Sequence, residues 1–320
     1  MTEGHLAERL GSTLERTDVD LGGLDGVALE RGKVRDVYSA GDMLLIVTTD
    51  RLSAFDVVLT TIPCKGEILN RTSLFWFDRT ADIMPNHILE RVSPRTVLAR
   101  RCRTLPVEIV VRGYLTGSAW RDYQSGRAVS GIGLPAGMRF NQRFEEPLLT
   151  PSTKAERGHH DEPISPSEIV SGGLVEKRTW DEIEEKARAL YERGCRIAAE
   201  AGLILVDTKY EIGMGPSGAL YLIDEVHTPD SSRYWYADTY EELFERGEKQ
   251  RKLDKEYLRQ WLMDTHGYMG NGPAPRIPDE VRLEVARRYA TAYEVITGES
   301  FEPQAGDGRE ESRRVEEKLL

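Results

Sequence analysis

Three charged residues at alternate positions, Asp207, Lys209 and Glu211, close a run that opens with four apolar residues, Leu203-Ile-Leu-Val. Side chains two apart on a β-strand share a face, so the three would project together. Such an alternation usually marks a solvated strand face. Here the apolar start, and a second apolar run over 219–226 that contains Asp224 and Glu225, put the charges at the end of a buried hairpin. If 213–218 form its six-residue loop, Asp224 falls opposite Asp207 and all four side chains share one face. That face suits a divalent cation beside a lysine, because Mg²⁺ commonly takes one or two carboxylates plus substrate phosphates. A flat ladder leaves Glu211 roughly 13 Å along the strand from the Asp207 level. A metal shared by Glu211 and Asp224 then requires strand bending, a bulge or two ions.

Arginines flank this hairpin in sequence. Arg233, within the polar stretch 227–235, could fork onto a phosphate or carboxylate, or form a surface ion pair. Arg112 ends the β-branched run 107–111, and the small residues that follow, through Ser118, would let backbone N–H groups approach an anion. Arg31-Gly-Lys33-Val-Arg35 reads as a phosphate-covering hairpin with basic side chains, though it is neither a Walker A loop nor a full GxGxxG. Polar clusters at 50–56, with Ser53 and Asp56, and at 150–162, with Lys154 and Asp161, complete the set. His159 and His160 are adjacent, would point oppositely on a strand and have no soft ligands nearby, so zinc is not expected.

The elements that must position these residues follow from periodicity. Residues 33–38 and 43–49 form a hairpin across Ser39-Ala-Gly-Asp, 55–61 add a strand, and 67–83 have helical spacing that stops before Pro85. Capping boxes at Ser165-Pro-Ser-Glu168 and Thr179-Trp-Asp-Glu182 open two helices, the second with Trp180, Ile183, Ala187, Leu190 and Ile197 on its core side. Helical patterns recur near 241–248, 255–263 and 280–297. The shift from sheet-rich to Gly/Pro-rich composition places a lobe boundary near 103–114. This gives an N-terminal lobe over 1–112, a C-terminal α+β lobe over 113–303 and a charged tail, 304–320, expected to be mobile.

At 320 residues the chain is long enough for a sizeable core, and a formal charge of −11 argues against phosphate-backbone binding, so no nucleic-acid partner is expected. Three dispersed cysteines without CxxC spacing fit a reducing cytoplasm. The charged N-terminus has no apolar core of a signal peptide, and no membrane span is expected.

Taken together, GKVRDVY at 32–38, DRLSAFD at 50–56, EIVVRGYLTGSAW at 108–120, TPSTKAERGHHDE at 150–162, VDTKYEIG at 206–213 and IDEVHTPDSSRYW at 223–235 strongly resemble the SAICAR synthetase family of de novo purine biosynthesis. The resemblance implies a two-lobed α+β fold whose sheet-rich N-terminal lobe covers ATP, as in ATP-grasp enzymes and protein kinases. It implies ATP-driven condensation of carboxyaminoimidazole ribonucleotide with L-aspartate through an acyl phosphate, with ATP and Mg²⁺ required and an oligomer allowed. By position it assigns Glu211 and Asp224 to Mg²⁺. Lys33, Arg35 and Lys154 go to ATP phosphates, and the backbone around Arg103, Thr104 and Leu105 to adenine. Arg112, Ser118 and Arg233 fall at the ribonucleotide phosphate; Asp161, Asp207 and Lys209 fall at its imidazole-carboxylate end, with Lys209, Asp207 and Lys154 nearest the chemistry. Ser53 and Asp56 lie on a loop that contacts substrate or aspartate, or braces the lobe. Two other readings stand beside this one. A small-alcohol kinase, for instance of an inositol phosphate, could share the ATP site; a non-catalytic nucleotide sensor would not need Asp207, Lys209, Glu211 and Asp224 together.

Overall fold

The computed structural model describes residues 3–20, 26–55, 57–154, 161–253 and 256–320; Asp56, His159 and His160 lie outside the described residues. The fold is α+β, in two compact units: Met1–Phe75, His87–Arg101 and Asp254–Leu320 make one, Trp76–Asn86 and Cys102–Leu253 the other.

The first unit opens with α1 (Glu3–Glu8) and then builds an antiparallel sheet from β1 (Val27–Arg31), β2 (Arg35–Ala40) and β3 (Met43–Thr48). The hairpin expected from alternation is present: Arg35 pairs with Thr48, and the turn uses Gly41 at φ 55°. Where one strand was expected over 55–61, a ribbon forms instead, β4 (Arg51–Ala54) against β5 (Val57–Thr61), with Phe55 left-handed at φ 53° near its tip. Helix α2 (Lys65–Thr80) follows. Its second residue must be glycine, because a Cβ on Gly66 would sit 2.2 Å from the Thr48 carbonyl oxygen. Strands β6 (Ile88–Arg91) and β7 (Thr96–Arg100) complete the sheet in the order β1-β2-β3-β7-β6.

In the second unit, β8 (Arg103–Tyr114) leads into α3 (Gly117–Gln124), β9 (Arg143–Leu149) and β10 (Ser152–Thr153). Helix α4 (Pro166–Ser171) carries the expected capping box, Ser165 with Glu168. Helix α5 (Lys177–Glu200) buries Trp180, Ile183, Ala187 and Leu190 as expected, but it begins before the Thr179 box, with Glu176 at its N-cap. Then come β11 (Leu203–Met214), β12 (Leu220–Ile223), β13 (Ser232–Tyr236) and α6 (Tyr240–Glu245). Strand β8 lies along one edge of β11; the other edge is divided between β13 and β12.

The last helices, α7 (Glu256–His266), α8 (Asp279–Thr297) and α9 (Gly308–Leu319), belong to the first unit. This differs from the lobes drawn at 112 and 303. Strand β8 runs unbroken through the expected boundary, and α7 and α8 pack Leu258, Leu262, Val285 and Tyr289 on Ile62, Ile68 and Leu69. The expected mobile tail carries α9, whose Val315 is fully buried with Leu14, Tyr38, Leu45 and Val47. The segment is so charged overall that its composition reads as a solvated tail, although one side of the helix buries Glu311, Ser312 and Val315. Among the described residues no helix is long and apolar enough to cross a membrane.

Candidate active site

The register of β11 decides where the charges meet. On β8, Arg112 pairs with Asp207 and Glu108 with Glu211; on the opposite edge Arg233 of β13 also pairs with Asp207. Asp207 Oδ2 therefore accepts from Arg112 Nη1 at 3.4 Å and from Arg233 Nη1 at 2.6 Å. Arg112 is fixed further by its Nε donating to Thr150 Oγ1 at 2.8 Å and its Nη2 to Ser118 Oγ at 3.2 Å. Ser118 lies in the first turn of α3, whose N-cap residue, Thr116, supplies no side-chain cap. Gly117, at φ 60°, brings its backbone so close to Arg233 that a Cβ would lie 2.5 Å from Nη1. One carboxylate between two guanidiniums orients both and leaves a net positive charge beside a helix N-terminus, a combination suited to a phosphate.

Two residues along the same face, Lys209 Nζ donates to Glu108 Oε1 at 2.7 Å and to Glu211 Oε1 at 2.9 Å, while Lys154 Nζ bonds Glu211 Oε2. Burial pushes the Glu211 carboxyl up, but Lys209 and Lys154 outweigh it and hold it down at about 2. For Glu108 burial prevails, with repulsion from Glu211 and Asp161 adding to it, and its carboxyl is raised despite Lys209. Burial works against the Lys209 ammonium, yet Glu211 and Glu108 raise it well above the usual lysine range.

Asp224 is not opposite Asp207. Met214 pairs with Leu220 and Glu211 with Ile223, so the turn occupies 215–219 and Asp224 follows the partner of Glu211 directly. The six-residue loop assumed from the glycines had set the hairpin axis too early. Asp224, at φ 68°, turns the chain out of the ladder, and the segment that follows returns only at β13. Lys209 N donates to Ser231 O at 3.0 Å where the strands part. Asp224 therefore stands one residue from the Glu211 level of the ladder, not at the Asp207 level that the six-residue loop implied. Among the described residues no group of three or more His, Cys, Asp or Glu side chains is arranged for a metal. A cation here would rest on two carboxylates plus ligand oxygens, which the donor chemistry of Mg²⁺ accepts.

The segment after Asp224 is pinned from beneath. His227 is fully buried; its Nε2 lies 2.6 Å from Tyr210 Oη, its carbonyl accepts from Tyr234 Oη at 2.6 Å, and its ring meets Trp76 edge-on. Ser232 Oγ donates to Thr208 Oγ1 at 2.8 Å. At the start of β8, Arg103 pairs with Met214 and Thr104 with Gly213. Opposite Ile212, β8 carries Leu105, Pro106 and Val107, so the ladder is interrupted beside Leu105.

The second unit therefore assembles Arg103, Thr104, Leu105, Arg112, Ser118, Lys154, Asp161, Asp207, Lys209, Glu211, Asp224 and Arg233 on or beside one sheet. Asp207, expected at the imidazole-carboxylate end, bonds both of the arginines expected at the phosphate end. Lys33, Arg35 and Ser53 belong to the first unit, the first two at the β1–β2 turn and Ser53 on β4. Glu108, which accepts from Lys209, and Thr150, which accepts from Arg112, are brought to the cluster without having been singled out in the sequence. Glu108 shares a strand face with Arg112, a signal that becomes visible only once β8 is paired with β11.

The SAICAR synthetase family model matches residues 28–275. The chain belongs to the SAICAR synthetase family. The phosphoribosylaminoimidazole-succinocarboxamide synthase of Legionella pneumophila (strain Lens) is 47% identical over 276 residues, covering 85% of this chain and 88% of that one. The Bacteroides thetaiotaomicron enzyme of the same name is 46% identical over 312 residues, covering 96% and 98%. Among solved structures, the SAICAR synthase of Saccharomyces cerevisiae complexed with SAICAR superposes with a TM-score of 0.78 at 34% identity, covering 89% of this chain and 99% of that one. The SAICAR synthetase match takes in both charge clusters of β11.

Proposed function

We propose that the chain is an ATP-dependent carbon–nitrogen ligase that condenses carboxyaminoimidazole ribonucleotide with L-aspartate, yielding SAICAR, ADP and phosphate. Support comes from one strand: β11 holds an arginine pair at Asp207 and a lysine-gripped carboxylate at Glu211. The substrate has matching polarity, with a phosphate at one end and a carboxylate on its base at the other.

A carboxylate is a poor electrophile, so it must first be activated. Its oxygen attacks the γ-phosphorus of ATP, the bond to the bridging oxygen breaks, and ADP leaves an acyl phosphate behind. The aspartate nitrogen then attacks the acyl carbon, phosphate departs, and the nitrogen gives up its proton. Catalysis of such a transfer is mainly alignment and charge neutralisation.

Arg112, Arg233 and Ser118 bind the ribonucleotide phosphate, with Asp207 orienting the two forks. Lys209 steadies the reacting carboxylate, beside Asp161. Lys33, Arg35 and Lys154 contact ATP phosphates, and the backbone of 103–105, where the ladder opens, meets adenine. Ser53 and Asp56 contact substrate or aspartate, or brace the lobe. Glu211 and Asp224 would hold Mg²⁺, which when bound neutralises phosphate charge.

The deciding experiment is coupled ADP release with the imidazole nucleotide, run with and without L-aspartate, and with EDTA followed by added Mg²⁺. Aspartate-dependent ADP release that EDTA stops and Mg²⁺ restores is expected. ADP release indifferent to aspartate but dependent on an alcohol acceptor would convert the reading to a kinase.

A further inference from the structure

Arg51 opens β4 and is buried, 7% exposed, although an arginine at a strand end normally reaches water. Its guanidinium meets five oxygens. Nε donates to Lys33 O at 3.1 Å, and Nη2 faces Gly32 O at 3.0 Å, Arg35 O at 3.0 Å and Asp36 Oδ1 at 2.9 Å, while Nη1 bonds Glu15 O. Asp36 is itself immobilised, its Oδ2 accepting from both the amide and the hydroxyl of Thr17 at 2.8 Å. The one carbonyl of the 32–35 turn that Arg51 does not reach, Val34 O, accepts from Thr49 N at 2.9 Å and Thr49 Oγ1 at 2.8 Å.

Every carbonyl of the β1–β2 turn is thus drawn toward residues 49–51. In a trans peptide the C=O of one residue and the N–H of the next point in opposite directions. With the carbonyls of Gly32, Lys33 and Val34 pulled inward, the N–H groups of Lys33, Val34 and Arg35 are directed away from that anchor, in succession, on the segment that also carries two basic side chains. Successive N–H groups turned one way form a concavity for anions. Lysine could not replace Arg51, since three hydrogens on one nitrogen cannot span acceptors that a planar fork with five donors reaches.

We infer that Arg51 is a positioning residue for the nucleoside triphosphate, setting the peptide planes of the 32–35 turn so that the turn presents a pre-formed polyphosphate cradle. The inference rests on the proposed assignment of Lys33 and Arg35 to the ATP phosphates, and adds the residue that shapes their backbone. The Arg51 guanidinium is engaged with backbone carbonyls and Asp36, and no substrate contact is assigned to it. It acts on affinity for one substrate through the turn.

The test uses the full-length R51K enzyme, with T49V as a milder variant that removes one hydroxyl contact and keeps the Thr49 amide bond. For R51K the KM for ATP is expected to rise about tenfold or more, with KM for the ribonucleotide and aspartate within about twofold, and T49V should move ATP KM the same way by a few-fold. Amide hydrogen exchange of a peptide spanning 31–37 should speed up in R51K, and added ADP or ATP should slow it less than in the wild type. Unchanged ATP KM and unchanged exchange in R51K overturn the inference. So does a proportional rise in all three KM values with a lowered Tm, which marks mere destabilisation. Faster exchange with unchanged ATP KM also overturns it, and if K33A and R35A then leave ATP KM unchanged as well, the fault lies in assigning this turn to ATP at all.

Discussion

Asp224 directly follows Ile223, the cross-strand partner of Glu211, and at φ 68° it turns the chain out of the ladder at the end of β12. The left-handed conformation costs an ordinary L-residue about 1–2 kcal/mol, but Asp and Asn tolerate it best after glycine. D224N therefore keeps the backbone preference and removes the charge. Turnover should fall by about two orders of magnitude or more while Tm stays close to wild type, whereas D224A should lose activity and about 1 kcal/mol of stability together. Steady-state rates across an Mg²⁺ titration, with thermal melts, check this; wild-type-like rates for D224N would take Asp224 out of the metal site.

The two guanidiniums on Asp207 give a second expectation. Charge-assisted hydrogen bonds contribute about 1.5–3 kcal/mol, so R233A should raise the KM for the ribonucleotide by about ten- to a hundredfold and leave ATP KM nearly unchanged. G117A should act in the same direction with no charge altered, because its Cβ would meet Arg233 Nη1 at 2.5 Å on a backbone at φ 60°. An R233A effect confined to ATP would contradict the assignment.

Much of this was legible in the sequence, for local reasons. The β2–β3 hairpin follows from alternation around a Gly41 turn, and the shared face of Asp207, Lys209 and Glu211 from period two. Register was less legible. Glycines at 213, 215 and 218 allow several loop lengths, and each shift moves Asp224 along β11. The pairing of Asp207 with Arg112 spans 95 residues, and no local pattern encodes it. Resemblance placed these residues in one site, but only coordinates show Asp207 lodged between the arginines. The C-terminal helix reads as a mobile tail for a different reason: its sequence is so charged, and its buried face so polar, with one valine beside Glu311 and Ser312, that composition masks the face it packs.

His227 supplies a pH dependence. Burial lowers its imidazole from 6.5 to about 3, so it is neutral in the folded enzyme. In the unfolded chain it takes up a proton near its ordinary value. The stability it contributes is therefore fully present above pH 6.5 and is lost progressively as pH falls toward 3. Over that window the slope from this one group approaches about 1.4 kcal/mol per pH unit. H227Q should be less stable than wild type at pH 8, because the packing against Trp76 and the Tyr210 contact are altered, yet it should lose less on acidification. Urea unfolding at pH 8, 6 and 5 checks the difference; parallel pH curves for the two proteins would contradict it.

Glu311 tests whether α9 is an integral part of the first unit. Its carboxylate is fully buried, Oε1 accepting from Ser93 Oγ at 2.6 Å and from Thr96 Oγ1, with the buried Arg95 close enough for Glu311 to help raise its guanidinium. Nearby, Ser312 Oγ accepts from Asp18 N at 3.0 Å, and Val315 fills the apolar cluster behind β2 and β3. The helix is therefore latched to the strand pair whose preceding turn carries Lys33 and Arg35. E311A strands two hydroxyls and removes a charge facing Arg95, which should cost about 2–4 kcal/mol. E311Q, keeping one acceptor, should cost less. A chain ending at Ala305 exposes Leu14, Tyr38, Leu45 and Val47 along part of their surface and should melt well below wild type. Because the latch holds the sheet beneath the turn, the truncated enzyme at a permissive temperature should show a raised KM for ATP before its KM for the ribonucleotide changes. Thermal melts and paired KM measurements on the three variants decide it; a truncated enzyme matching wild type in Tm and in ATP KM would return the segment to the status of a dispensable tail.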